Sequence, residues 1–136
     1  MADYARFMQE VCCNEDQSRW LQQKLRDVVE GEEPPVCDVI VKPDRLVLHS
    51  ERHGNPEKVA VVLSHFLETY SPGISFRFEV CYGHGNWDPG YFGAVAIFIT
   101  AEGLEFMGAC DWLRERAARW EATKKTKAWG KALGLD

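Results

Sequence analysis

The segment ISFRFEVCY, residues 74–82, most constrains the fold because its apolar residues alternate strictly with the others. The apolar positions on one side are Ile74, Phe76, Phe78, Val80 and Tyr82. Successive side chains of a β-strand point to opposite faces of its sheet, and an antiparallel sheet often buries only one face. The pattern therefore predicts a half-buried antiparallel strand.

The residues before this strand predict a capped amphipathic helix. Asn55 is a suitable N-cap, Pro56 fits the first helical position, and Glu57 complements the helix dipole. The apolar residues then recur at helical spacing, at Val59, Val62, Leu63, Phe66, Leu67 and Tyr70. A helix directly followed by a half-buried strand indicates a mixed fold.

The first third of the chain predicts two helices and a β-hairpin. Tyr4, Phe7, Met8 and Val11 lie at helical spacing, which predicts a first short helix. Asn14 and Gln17 match a capping box, which predicts a second helix ended by two prolines. Residues 36–51 alternate around a Lys-Pro-Asp-Arg turn and predict the hairpin.

The last third predicts two strands and a helix. Residues 91–100 are apolar on both faces, which predicts the central strand, and residues 104–108 form a short final strand. A helix opening near Asp111 has a predicted inner face of Trp112, Leu113, Arg116, Ala117 and Trp120. The predicted order is ααββαβββα: an α+β, two-layer sandwich of about five mainly antiparallel strands with helices on one face.

Length and composition indicate one cytoplasmic domain that spans residues 1–136. The chain is 46% hydrophobic, and it has no apolar run long enough to cross a membrane and no leader-like N-terminus. Its five cysteines are an odd number, which favours reduced thiols over a secreted disulfide framework. A CxxC pair is absent, so no cofactor or structural zinc site is expected.

The net charge of −5 is distributed unevenly. Residues 1–113 carry −9, whereas residues 114–136 carry +4, so a basic helix or tail at 111–136 follows an acidic body. This segment is a solvated helix face, an arm for nucleic acid, or a segment that lies against the acidic N-terminal part of the same chain. A nucleic-acid arm would use Arg119, Lys124, Lys125, Lys127, Trp129 and Lys131.

The segment CYGHGNWDPGYFGAVAIF, residues 81–98, concentrates the residues that could carry chemistry. Cys81, His84 and Asp88 could hold a metal, but they match no specific zinc signature, and Asp-Pro-Gly also forms an ordinary turn. Aromatic anchors on a glycine-rich loop are typical of a binding surface. The partner-binding hypothesis therefore names His84, Trp87, Asp88 and Tyr91. No catalytic constellation is recognised elsewhere, so an enzyme is the less favoured class.

The stretches GNPEKVAVVLSHFLETY, GYFGAVAIFITAEGLEF and DWLRE, with the DYARFMQEV opening, resemble a family of small phage, prophage and plasmid proteins. The resemblance covers roughly residues 3–116 and rests on structural motifs, so it implies no catalytic residues. It implies a cytoplasmic protein in a bacterial host that works by stoichiometric binding. An inhibitor of a bacterial defence complex, as anti-CRISPR proteins are, is one such function.

The preferred hypothesis is therefore a non-enzymatic, phage-type interaction protein without a cofactor. Its partner is a host protein or a protein–nucleic acid complex, and a membrane is not expected. The alternatives are a nucleic-acid-binding accessory protein that uses the basic C-terminal segment, and a metal-dependent enzyme that uses the Cys81, His84 and Asp88 loop.

Overall fold

The computed structural model of the protein describes residues 4–83 and 93–124. Within these ranges the elements are β1 Tyr4–Cys12, α1 Glu15–Asp27, β2 Asp38–Lys42, β3 Arg45–Ser50, α2 Pro56–Tyr70, β4 Phe76–Gly83, β5 Gly93–Thr100, β6 Gly103–Gly108 and α3 Ala109–Lys124. The predicted α+β class is confirmed. The described part has six strands rather than five, and their order with the helices is βαββαβββα.

The six strands form one sheet in the order β2-β3-β1-β4-β5-β6, and each neighbouring pair is antiparallel. The prediction that residues 91–100 form the central strand is wrong, because β1 and β4 occupy the centre and β5 lies next to the edge. The second apolar face of β5 is not buried: Ala94, Ala96 and Phe98 are exposed. Burial on both faces therefore does not explain the apolar composition of β5.

The prediction of a helix over the first residues is also wrong, because they form β1. Tyr4, Phe7, Met8 and Val11 fit a helical period, but Ala5, Phe7 and Val11 also fit the period of a strand. In the fold, β1 pairs with β3 on one side and with β4 on the other. These pairings with β3 and β4, which are distant in the sequence, favour the strand over the helix.

Both predicted N-caps are confirmed. The Asn14 side chain accepts a hydrogen bond from the Gln17 backbone at 2.9 Å, and the Gln17 side chain accepts one from the Asn14 backbone at 3.0 Å. At α2, the Asn55 side chain accepts a hydrogen bond from the Lys58 backbone N–H at 3.2 Å. These bonds satisfy N–H groups that the first turn of a helix leaves without partners.

The core lies between one face of the sheet and the pair α1 and α2. Phe78 of β4 is fully buried, and its ring meets that of Phe7 edge to face at 5.1 Å between centroids. Trp20 of α1 contacts Phe66 and Tyr70 of α2, which joins the two helices. We call this side of the sheet the helix-covered face.

The inner face predicted for α3 is not observed. Trp112, Leu113 and Trp120 are exposed, and all described side chains from 112 to 123 are exposed as well. The helix contacts β5 and β6 only marginally. Apolar and charged residues are only weakly segregated around α3, so the helix has no strong apolar face to bury.

Candidate functional site

The residues of the partner-binding hypothesis, His84, Trp87, Asp88 and Tyr91, lie outside the described residues. The same holds for Lys125, Lys127, Trp129 and Lys131 of the nucleic-acid hypothesis. Of the three residues of the metal hypothesis, the structure describes only Cys81. It lies on β4 with an exposed side chain, opposite Ala94 of β5 and Arg6 of β1.

Within residues 4–83 and 93–124, no three His, Cys, Asp or Glu side chains come close enough together to hold a metal ion. The free thiols of this part fall into two groups: Cys12 and Cys81 are exposed, while Cys13 and Cys37 are buried. Burial raises the pKa of the Cys37 thiol to about 12, and the nearby Asp38 carboxylate adds to the shift. This thiol is therefore protonated at neutral pH and is a poor nucleophile.

Cys37 lines a groove of about 380 Å³ between the end of α1 and the segment that leads into β2. Leu25 and Val36 form its buried floor, and Arg26 and Glu33 lie at its rim. Glu33 is bound by Lys58, whose ammonium nitrogen is 3.1 Å from the carboxylate. The groove thus offers apolar surface and a neutral thiol, but no pair of groups arranged for acid–base or nucleophilic catalysis.

The described part of the basic C-terminal segment is of mixed charge. Arg119 pairs with Glu115 of the same helix at 3.0 Å, and Arg116 lies over the ring of Trp112 at 5.8 Å from its centroid. Lys124 ends the described helix. Because Arg119 already pairs with a carboxylate within α3, the described helix is not a continuous basic surface for phosphates.

The main surface that the fold creates is the side of the sheet opposite α1 and α2, which we call the open face. The strand registers place these residues on it: Arg6, Met8, Glu10, Cys12, Asp38, Ile40, Lys42, Arg45, Val47, His49, Arg77, Glu79, Cys81, Ala94, Ala96, Phe98, Glu105 and Met107. Val47 is buried between its neighbours, Arg45 and His49 are half-buried, and the others are exposed. The open face is therefore a solvent-exposed sheet surface that all six strands build.

Large apolar side chains are distributed across the open face. Met8 is 69% exposed and Phe98 is 43% exposed, and Ile40 and Met107 are exposed to a similar degree as Phe98. A single exposed apolar residue needs no explanation, but several on one sheet surface mark a candidate interaction site. Methionine and phenylalanine are also enriched at protein interfaces.

The charges of the open face are balanced. Four basic side chains, Arg6, Lys42, Arg45 and Arg77, share it with four acidic ones, Glu10, Asp38, Glu79 and Glu105. Arg45 and Glu10 form an ion pair across β3 and β1 at 3.8 Å. Such a surface has no excess positive charge with which to attract a polyanion.

Sequence reasoning missed the open face, although part of its signal was present. The alternation of residues 74–82 predicts that Arg77, Glu79 and Cys81 lie on the side of β4 opposite the apolar residues, and the structure confirms this. Met8 was hidden because β1 was interpreted as a helix, and Phe98 because β5 was expected to be buried on both faces. A strand assignment for residues 4–12 would have placed Met8 on the same side as Cys81.

Comparison of the chain with family models, with curated proteins and with solved structures finds no match. Among the described helices, none combines the length and the apolar character that crossing a membrane requires.

Proposed function

We propose that the chain is a non-enzymatic interaction protein that binds a protein partner stoichiometrically through the open face of its sheet. The observation that carries this proposal is the exposure of Met8, Ile40, Phe98 and Met107 on one surface. Burying apolar surface drives most protein–protein association. A bound partner would remove these four side chains from water.

The charges of the open face favour a protein as the partner. Four basic and four acidic side chains alternate with the apolar ones, so complementary charges on a protein surface could pair with both signs. A nucleic acid would meet the acidic residues Glu10, Glu79 and Glu105 as well as the arginines. The overall charge of −5 also opposes its approach.

The size of the open face suits a specific complex. Six strands spaced by about 4.8 Å span about 24 Å, and a seven-residue strand is about 23 Å long. The flat area is thus roughly 550 Å², to which projecting side chains add. A standard protein interface takes about 800 Å² from each partner.

We include residues 84–92, which connect β4 and β5 in the sequence, as a second part of the partner site. Cys81 on β4 and Ala94 on β5 both belong to the open face, so this face continues to the two strand ends from which residues 84–92 depart. Trp87 and Tyr91 are the aromatic anchors that the sequence offers there.

The class of partner follows from the resemblance to phage, prophage and plasmid proteins. Such a protein would act in the cytoplasm of a bacterial host, and we propose a defence complex such as CRISPR–Cas as its target. The acidic body, with a charge of −9 over residues 1–113, suits competition for a groove lined by Lys and Arg.

Affinity capture from a bacterial lysate tests the proposal. The wild type is compared with a double variant, Met8→Glu and Phe98→Glu, which adds two charges to the open face. The matched control is Val61→Glu, because Val61 is 44% exposed but lies on α2, on the other side of the molecule. Each capture is repeated with lysate that was treated with nuclease and with lysate that was not, and the bound proteins are identified by mass spectrometry.

We expect the wild type and the Val61→Glu control to retain the same nuclease-resistant protein, and the double variant to lose it without a change in Tm. The Trp87→Ala and Tyr91→Ala variants should weaken capture as well. Capture that the double variant leaves intact, or that nuclease abolishes, would contradict the proposal. A second experiment tests the proposed CRISPR–Cas target. Expression of this chain in a strain with active CRISPR immunity should raise the plating efficiency of a phage that the immunity targets. An unchanged plating efficiency would exclude the CRISPR–Cas complex of that strain as the target.

A further inference from the structure

The outer edge of β6 is unusual for an exposed strand. β6 ends the sheet, and among the described strands only β5 pairs with it. An edge strand presents unpaired backbone N–H and C=O groups, and proteins commonly protect it with charges or proline. The opposite edge, β2, has this protection: it contains Asp38 and Lys42 and is followed by Pro43. β6 contains one charged residue, Glu105, and no proline.

Apolar side chains surround this edge. Phe106 is 53% exposed on the helix-covered side of β6, and Met107 is 45% exposed on the open face. Directly after β6, the first turns of α3 expose Trp112 and Leu113 by more than half. A helix of this length with little burial is marginally stable alone, so a second surface packed against it would stabilise it.

We infer that β6 pairs with β6 of a second copy of this chain, antiparallel about a two-fold axis. The pairing joins two six-stranded sheets into one of twelve strands. It brings the outer edges of both copies together through the same surface, as a symmetric dimer requires. The inference does not depend on the partner proposed above, because Phe106 lies on the face opposite to Met8 and Phe98, and only Met107 belongs both to the open face and to this edge.

Side-chain chemistry selects one register. Directly opposite residues of an antiparallel pair lie on the same face. With Phe106 opposite Phe106 of the second copy, the two rings meet, and Glu105 lies opposite Met107. A shift of two residues in one direction would set Glu105 opposite Glu105, and like charges at this distance are destabilising. A shift in the other direction would set Phe106 opposite Gly108 and shorten the overlap.

This register also accounts for the exposed start of α3. It places Leu104 opposite Gly108 of the second copy, so α3 begins beside the turn that precedes β6 in that copy. In the inferred dimer, Trp112 and Leu113 pack on that turn. Phe106, Met107, Trp112 and Leu113 each expose about half of a large side chain, or about 100 Å². Together they supply about half of the roughly 800 Å² that each partner contributes to a standard interface, and the strand edge and its flanks supply the rest.

Sedimentation equilibrium of the full chain tests the inference. We expect the mean mass to rise with concentration from 15.5 kDa toward twice that value. Phe106→Lys sets two ammonium groups opposite each other and should raise the dissociation constant at least about tenfold. The control is Val41→Lys, since Val41 is 61% exposed on the other edge strand, and it should leave the constant unchanged. A wild-type mass of 15.5 kDa up to millimolar concentration, or a dimer broken by Val41→Lys and not by Phe106→Lys, would overturn the inference.

Disulfide cross-linking tests the register without destabilising the fold. The background is Cys12→Ser, Cys81→Ser and Cys110→Ser, which removes the two thiols that are exposed among the described side chains and the cysteine that follows β6 in the sequence. On this background, Phe106→Cys should form a covalent dimer on oxidation, because opposite residues meet the distance that a disulfide needs. Glu105→Cys should not, because its two copies would be about 8 Å apart between Cα atoms. The reverse result would refute the register, and cross-linking by neither would refute the pairing.

Discussion

Gly54 is packed closely against two buried side chains, so replacing it with alanine is a sharp test of the packing. A Cβ atom at this position would be 2.6 Å from both Cβ and Oγ of Ser50 and 2.7 Å from Cε2 of Phe7. Neither neighbour can move easily. Ser50 is buried, and its hydroxyl donates to the Ala5 carbonyl at 3.0 Å and accepts from the Gly54 N–H at 2.9 Å. Phe7 is buried against Phe78.

The cost of Gly54→Ala follows from these contacts. Forcing an extra carbon into a well-packed core costs about 1–3 kcal/mol. Displacing Ser50 weakens one buried and one partly buried hydrogen bond, each worth about 1 kcal/mol net. We therefore expect the free energy of unfolding to fall by about 2–4 kcal/mol. For a domain of this length, the Tm should fall by roughly 6–16 °C.

Urea-induced unfolding of Gly54→Ala and of a matched variant, Gly73→Ala, measures this effect. No atom lies within 4 Å of a Cβ built on Gly73, so alanine there should be neutral or stabilise by up to about 1 kcal/mol through the unfolded chain. Equal stabilities of the two variants would refute the packing argument. Equal stabilities would also show that the loop between β3 and α2 moves away from Ser50 to make room for the added Cβ atom.

Two further predictions concern local features of the fold. Asn14→Ala removes the hydrogen bond that the Asn14 side chain accepts from the Gln17 backbone, while the backbone N–H of residue 14 can still donate to the Gln17 side chain. The loss of this cap should cost about 1 kcal/mol in urea unfolding, and an unchanged midpoint would contradict it. Because burial raises the pKa of Cys37 from 9.0 to about 12, the folded chain keeps a proton that the unfolded chain releases. The contribution of the Cys37 thiol to the free energy of unfolding is therefore fully present below pH 9. As the pH rises from 9 to about 12, the free energy of unfolding falls by up to about 1.4 kcal/mol per pH unit. Cys37→Ala should flatten this decline, and a thiol reagent should modify Cys12 and Cys81 before Cys37.

The elements that the sequence predicted correctly are those with local signals. The Asn14 and Asn55 caps mark α1 and α2, and the turn at 42–45 marks the hairpin of β2 and β3. Each signal lies within a few residues of the element that it defines, so tertiary contacts are not needed to recognise it.

The incorrect predictions concern elements that distant parts of the chain decide. β1 became a strand because β3 and β4 pair with both of its sides, and no local pattern contains that information. The apolar outer residues of β5 suggested burial, but the described fold covers only the other face of the sheet. In α3, Trp112 and Leu113 suggested an inner face that the fold leaves in solvent. Apolar residues that the fold leaves exposed form the two surfaces proposed here, the open face and the edge of β6.

The measurement that tests the central claim most directly is native mass spectrometry of the wild-type chain captured with its partner from a nuclease-treated lysate. Stoichiometric binding through the open face predicts one mass that equals the chain and a protein in a fixed integer ratio. The Met8→Glu and Phe98→Glu variant should yield the mass of the chain without that protein. A wild-type sample that contains only the 15.5 kDa chain or its dimer, or the chain bound to nucleic acid without any protein, would contradict the claim.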